Sequence, residues 1–337
     1  MTEFDFIADY LAPLAGPEGL GLLDDAALFT PAAGMDLVIT KDTLVEGVHV
    51  PMGFRGADIA ERLLRTNLSD LAAKGAVPIG YLLSLALPKD MTEAAMRGFA
   101  LGLSAVQETF APLRLFGGDT VRIGGPMVVT ATLIGSVPHG KMIRRSGAQI
   151  GDDIWVSGVI GESAMGLKHV LSQKIDPPPS GEAIWAWEEA YLRPQPRLAL
   201  GQALRDIASA SADVSDGLLA DVGHIAKASG VGMTIDLSTV PFSKAGEVWM
   251  AGQDDPRAAR LELLTAGDDY ELVFTAPAAK RAELKALGET LGLPLSRIGQ
   301  CESGQGESGQ GENGQRVALF AADGSVIDVP RRGYSHF

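Results

Sequence analysis

Residues 37–49, LVITKDTLVEGVH, pass from an apolar β-branched run into Lys41-Asp42-Thr43, and this junction constrains what the chain can become. The run LVIT reads as a strand, and a carboxylate displayed where a strand ends can face a ligand. Five more polar clusters punctuate the chain: Asp24-Asp25, Asn67-Leu68-Ser69-Asp70, Gly117-Gly118-Asp119-Thr120, Asp213-Val214-Ser215-Asp216-Gly217 and Gly267-Asp268-Asp269-Tyr270-Glu271. Each is expected at a junction between regular elements, a placement that acidic groups on solvated faces do not need. They point to one assembled site for hard cations, with magnesium the leading candidate.

A length of 337 residues with 46% hydrophobic content exceeds what one domain normally holds, so two domains are expected. The formal net charge of −14 argues against a nucleic-acid surface. It would also repel a phosphorylated ligand unless metal ions neutralised the site first, which agrees with the cation reading. Cys301 is the single cysteine, excluding an internal disulfide and a cysteine-rich zinc centre. The acidic start MTEFDFIADYLAPL makes a poor signal peptide and reads as a short amphipathic helix, and the longest apolar runs are too short for a bilayer. A cytoplasmic protein with neither membrane nor nucleic-acid partner is the expectation.

The first half alternates strand and helix. Helices are expected over 4–14, 57–74 and 92–110, and strands over 37–40, 81–87, 113–116 and 127–137. The nearly all-apolar run 81–87 suits a strand covered on both faces. The turn-rich stretch Lys141–Asp153 marks the domain boundary, giving domains 1–140 and 141–337. In the second half, helices are expected over 163–171, 182–191, 197–208, 218–229 (capped by Asp216) and 278–287 (closed by Gly288). Strands are expected over 154–157, 212–215, 231–237 and 270–274. Residues 302–315, ESGQGESGQGENGQ, repeat a five-residue unit without apolar side chains and read as a flexible hairpin tip or linker.

A phosphate-loop match, GxxxxGK at Gly135–Lys141, fails on context: Met142 offers no hydroxyl to magnesium, and the sequence beyond it is not helical. In Asp213-Val214-Ser215-Asp216-Gly217, an extended backbone sends Asp213 and Ser215 to one side, and the start of a helix at Asp216 supplies free N–H groups to an anion. An ordinary N-cap explains Asp216 alone; the three together favour a ligand site. Gly117-Gly118-Asp119-Thr120 is either a turn or a close backbone approach to phosphate, with Asp119 on the metal. His49 is either a hydrogen-bonding group or a substrate contact, and Arg145 either solvated or a phosphate clamp.

The ordered segments DDAALF, ITKDTLVEGVH, NLSDLAAKGAVP, GGDT, RRSGAQIGDD, YLRPQPRLALG, DVSDGLLADVGHIAKASGVG, AGDDYELVF and RRGYSHF resemble thiamine-monophosphate kinase, of the ATP-binding superfamily that includes aminoimidazole ribonucleotide synthetase. The resemblance spans essentially the whole chain. It implies a homodimer of two-domain α/β (α+β) subunits, with mixed sheets, packed helices and an ATP site between the domains. It implies ATP-dependent phosphorylation of thiamine monophosphate to thiamine diphosphate, using several Mg2+ ions.

Carried over by position, the metal ligands are Asp25, Thr40, Asp42, Asp70, Asp119, Asp213 and Asp216, with Asp42, Asp119 and Asp213 catalytic. Gly118, Asp119, Arg145 and Ser215 would meet ATP; His49, Asp268 and Arg331 would meet the thiamine phosphate. Lys41, Leu23, Asp268 and Arg331 depart from the family pattern, which has a hydroxyl residue, a glycine, a glutamate and an aromatic at these places. Rival expectations are a synthetase-like enzyme on the same fold and a metal–nucleotide sensor without turnover.

Overall fold

The computed structural model describes residues 3–303, 317–329 and 333, so residues 304–315 of the repeat and Arg331 lie outside the described residues. The chain divides into two compact units: residues 1–71 with 76–142, and residues 72–75 with 143–337.

The N-terminal unit opens with α1 (Glu3–Phe6), a π turn over Ile7–Leu11 and a 3-10 turn over Ala12–Leu14. The helix expected over 4–14 is therefore helical in three pieces, ending where Pro13 has no N–H to continue an α ladder. There follow β1 (Met35–Val45), α2 (Ala57–Ala73), β2 (Val77–Pro88), α3 (Glu93–Thr109), β3 (Arg114–Ile123) and β4 (Val128–Pro138). The sheet order is β1-β4-β2-β3, with β2 and β3 parallel and the other pairs antiparallel. α3 makes the crossover that a parallel pair needs. α2 and α3 cross closely at Gly102, where a Cβ would meet the Ala57 carbonyl oxygen at 2.4 Å.

Three sequence expectations change here. Lys41-Asp42-Thr43 does not end its strand, because β1 stays paired to β4 through Val45. Gly117-Gly118-Asp119-Thr120 is likewise mid-strand, carried by pairing of β3 with β2. Polar residues are compatible with both strands because β1 and β3 are the sheet's edges. β2 is covered on one face only: Tyr81, Leu83, Leu85 and Leu87 are buried, whereas Leu82 is exposed. By strand register, Leu82 shares its face with the exposed Leu37, Ile39 and Val121.

The C-terminal unit contains β5 (Asp152–Ser157), α4 (Glu162–Val170), α5 (Gly181–Leu192), α6 (Leu198–Ala203), β6 (Ala210–Asp213), α7 (Leu218–Ser229) and β7 (Gly232–Asp236). α8 (Lys244–Ala251), α9 (Pro256–Thr265), β8 (Leu272–Pro277), α10 (Arg281–Leu291), β9 (Leu295–Glu302), β10 (Val317–Phe320) and β11 (Val326–Ile327) complete it. Its seven-stranded mixed sheet runs β11-β10-β7-β9-β5-β8-β6. One apolar cluster joins Ile154, Val156, Val273 and Ile298 to Leu218, Val222 and Ile225 of α7. A second joins Trp155, Leu272 and Phe274 to Leu200, Leu204 and Leu284.

α10 runs past the expected stop at Gly288 and ends at Gly292, whose φ of 60° supplies the left-handed cap. Gly288 instead serves packing: a Cβ there would lie 3.0 Å from the Leu293 carbonyl oxygen. Asp216 does not cap α7, whose N-cap is Gly217.

Candidate active site

In the N-terminal unit, the alternation of β1 puts Thr40 and Asp42 on the helix-covered side, and the Thr40 hydroxyl donates to Asp70 Oδ2 at 2.5 Å. Thr40 and Asp70, 30 residues apart in sequence, are thus brought together by packing of α2 on the sheet. Asp25, Gly118 and Asp119 are gathered elsewhere, around a cavity of ≈ 320 Å³ that Asp24, Gly117 and Thr120 also line. Gly118 is required by close approach of β2: a Cβ would stand 2.3 Å from the Leu83 carbonyl oxygen. Asp42 aligns with Ala131, Leu83 and Gly118 across the four strands. Asp42 and Asp119 therefore stand on opposite edge strands, three strand spacings or about 14 Å apart in one chain.

His49 lies in the loop after β1, where its Nδ1 accepts the Val45 N–H at 3.1 Å. The neutral ring then carries its proton on Nε2, the form that can donate to an anion. Sequence reasoning missed the residue that shapes this loop. Buried Glu46 accepts the main-chain N–H groups of Gly53 at 2.7 Å and Met127 at 3.0 Å, and pairs with Arg55 at 3.2 Å. Burial would raise the Glu46 carboxyl, but these donors together hold it below the ordinary range. Gly140 and Lys141 of the rejected phosphate loop sit in a turn after β4, with Gly140 N–H bonded to Asp36 at 2.8 Å.

In the C-terminal unit, β6 delivers Asp213, 3% exposed, at its last residue. Two sequence-distant segments are then fastened together. The N–H groups of Asp268 and Tyr270 donate to Ser215 and Val214 carbonyls, each at 2.8 Å, and Val214 N–H returns to Glu271 at 2.8 Å. The approach demands unusual backbone: Gly267, Asp268 and Tyr270 have φ of 81°, 64° and 51°. The Tyr270 hydroxyl donates to Asp268 Oδ1 at 3.0 Å. Asp213, Ser215, Asp216 and Asp268 are consequently neighbours. Arg145 belongs to a segment moored to the end of α7, where Ser229 Oγ donates to the Arg145 carbonyl at 3.3 Å and accepts Gly147 and Ala148 N–H at 3.1 Å.

Asp221, unremarked in the sequence, organises this corner. It is completely buried, and its Oδ2 accepts the Ser215 and Asp216 N–H groups, each at 3.1 Å. Burial pushes its carboxyl well above the ordinary range; Asp213 and Asp216 push the same way, against the Asp216 amide and Arg145. Its Oδ1 has no hydrogen-bond partner. A buried carboxylate oxygen without a donor is suited to a cation, and in the N-terminal unit the oxygen donors Thr40 and Asp70 are likewise of the type hard cations take.

Other acids in the same motifs serve the scaffold. Asp269 Oδ1 accepts Gly161 N–H at 2.8 Å, and Glu271 accepts Ser157 Oγ at 2.5 Å and Arg197 Nε at 2.8 Å. Asp153 takes Arg281 in a two-point contact at 2.6 and 2.7 Å.

Comparison with known proteins fits this arrangement. The AIR synthase related protein N-terminal domain model matches residues 23–137, and its C-terminal domain model matches residues 149–312. A thiamine-monophosphate kinase of Caulobacter vibrioides is 43% identical over 301 residues, covering 89% of this chain and 84% of that protein. The chain belongs to the thiamine-monophosphate kinase family. Among solved members, the enzyme of Stenotrophomonas maltophilia superposes with a TM-score of 0.77 at 42% identity, covering 91% of each chain. AaThiL complexed with AMPPCP and TMP superposes with a TM-score of 0.75 at 28% identity, covering 93% of this chain and 91% of that one. The two sheets with their packed helices are thus the family's mixed α/β architecture. Among the described residues, no helix is long and apolar enough to cross a membrane.

Proposed function

We propose that this protein transfers the terminal phosphoryl group of ATP to thiamine monophosphate, forming thiamine diphosphate, as a cytoplasmic homodimer with its two domains at 1–140 and 141–337. The observation that supports the reading is the fastening of Ser215 to Asp268, because these are the residues we assign to ATP and to the thiamine phosphate. The relative holding AMPPCP, an ATP analogue, together with TMP supports the same pairing of ligands.

Transfer is direct and in line: a phosphate oxygen of thiamine monophosphate attacks the terminal phosphorus, ADP leaves, and no covalent enzyme intermediate forms. The attacking oxygen is already ionised, so no strong general base is required, and catalysis rests on positioning and charge. Magnesium, held by Asp25, Thr40, Asp42, Asp70, Asp119, Asp213 and Asp216, would neutralise the polyphosphate in this acidic chain. Gly118 offers backbone approach, while Ser215 and Arg145 bind ATP oxygens. His49, through its Nε2 proton, and Asp268 with Arg331 hold the thiamine phosphate. The exposed apolar face of Leu37, Ile39, Leu82 and Val121 supports burial against a second copy.

The test is product analysis. Protein, magnesium-ATP and thiamine monophosphate are incubated, and thiamine diphosphate is followed by chromatography as its fluorescent oxidised derivative. Product that needs all three components is expected; a folded protein that binds ATP yet forms none would overturn the reading.

A further inference from the structure

We propose that Asp216, Asp221 and His224 form a binding site for a divalent first-row transition ion at the N-terminal end of α7. The ligand atoms of these three side chains lie within 4.8 Å of one another. Asp221 and His224, three residues apart on α7, share one helix face, and Asp216 precedes the helix. His224 Nε2 stands 3.8 Å from Asp216 Oδ2.

The independent observation is the state of Asp221. Its side chain is wholly buried, its Oδ2 is fixed by two main-chain N–H groups, and its Oδ1 meets no donor. Those amides hold the carboxylate in place as outer-shell partners hold a metal ligand, and its other oxygen has no donor of its own. His224 is exposed and Asp216 part-exposed, so the mouth is open to solvent.

Ligand type sets the ion class. Two carboxylates and one imidazole differ from the all-oxygen sets that magnesium prefers, and imidazole favours ions from manganese toward zinc. Three protein ligands leave further positions for water. Asp216 is shared with the magnesium set proposed above, whereas Asp221 and His224 are not, and binding of the metal alone needs no kinase activity.

Mn2+ is the probe. The full-length protein without nucleotide is titrated with Mn2+, free ion is counted by electron paramagnetic resonance, and bound ion is examined by pulsed methods for imidazole 14N coupling. Wild type is expected to bind one Mn2+ with nitrogen coupling that excess Mg2+ displaces poorly. His224→Ala is expected to abolish the coupling and weaken that ion about 100-fold, since outer-shell losses alone cost 10–100-fold. Asp221→Asn is expected to weaken it too, and thermal melting of each variant checks the fold. Absence of nitrogen coupling in wild type, or titrations of wild type and folded His224→Ala that coincide, overturns the site. The kinase reading stands or falls on thiamine diphosphate formation, which these titrations do not involve, so the two failures are distinguishable.

Discussion

Arg197 holds the buried carboxylate of Glu271 at two points, Nε to Oε2 at 2.8 Å and Nη2 to Oε1. Glu271 is in the motif that carries Asp268, and its carbonyl accepts Val214 N–H, so this ion pair underlies the fastening of the two loops. Removing the guanidinium strands a carboxylate whose side chain is only 6% exposed. Arg197→Ala is expected to lower unfolding stability by about 3–5 kcal/mol. Urea unfolding measures the loss; a change below about 1 kcal/mol would deny the pair this role.

Asp42 and Asp119 sit on opposite edge strands, and each is expected to act on bound phosphates with its own charge. Replacing either with Asn keeps shape and removes that charge. Turnover in the thiamine diphosphate assay is expected to fall about 10²–10³-fold, with an unchanged melting curve. Near-normal turnover in either variant would remove that residue from the catalytic set.

His139, after β4, hydrogen-bonds Asp36 of β1 at 2.8 Å. The Asp36 hydrogen bond and charge hold the His139 pKa above its ordinary value, while the Gly140 amide and then His139 hold Asp36 below its own. For His139, the raised folded value means the contribution to stability is complete below about pH 6.5 and is lost as pH rises through the folded value. For Asp36, the depressed value means the contribution is present above the unfolded carboxylate value and lost as pH falls through the folded one. The pair therefore acts between these two limits. Nuclear magnetic resonance titration of the His139 ring should show a midpoint that drops toward the ordinary value in Asp36→Asn; an unmoved midpoint would count against the pair.

Cys301 in β9 is 1% exposed, and burial, followed by the charges of Asp152 and Asp153, pushes its thiol up to about 12. Thiolate is the reactive form, so the folded protein should resist a disulfide reagent at about pH 8 and react fully once unfolded. Rapid labelling of native protein would show that β9 opens readily.

Much of this architecture is legible in the chain itself. α7 spans Leu218–Ser229 as expected, although its N-cap is Gly217 and not Asp216, and α3 follows its apolar stripe from Met96 to Val106. The edges of β1 and β3 are not legible, because Lys41-Asp42-Thr43 and Gly117-Gly118-Asp119 look like stops until the ladder partners are known. α9 escaped notice although its signal is present: Asp255 caps Arg257 and Ala258 N–H, with Pro256 in the first turn. Ser243 marks α8 in the same way. The separation of working acids from scaffold acids is the least visible part. Glu46, Asp153 and Glu271 resemble candidate ligands by residue type, and burial beside particular donors gives them their other roles.

The left-handed backbone at Asp268 bears on what the position can hold. Aspartate is among the side chains that enter that region with least resistance, because its short carboxylate can bond locally. A glutamate, which the resemblance leads one to expect here, would bring one more methylene of arm but a poorer match to the bend. This chain trades length for ease of folding the corner, and a ligand meeting Asp268 must come closer to the main chain to be touched.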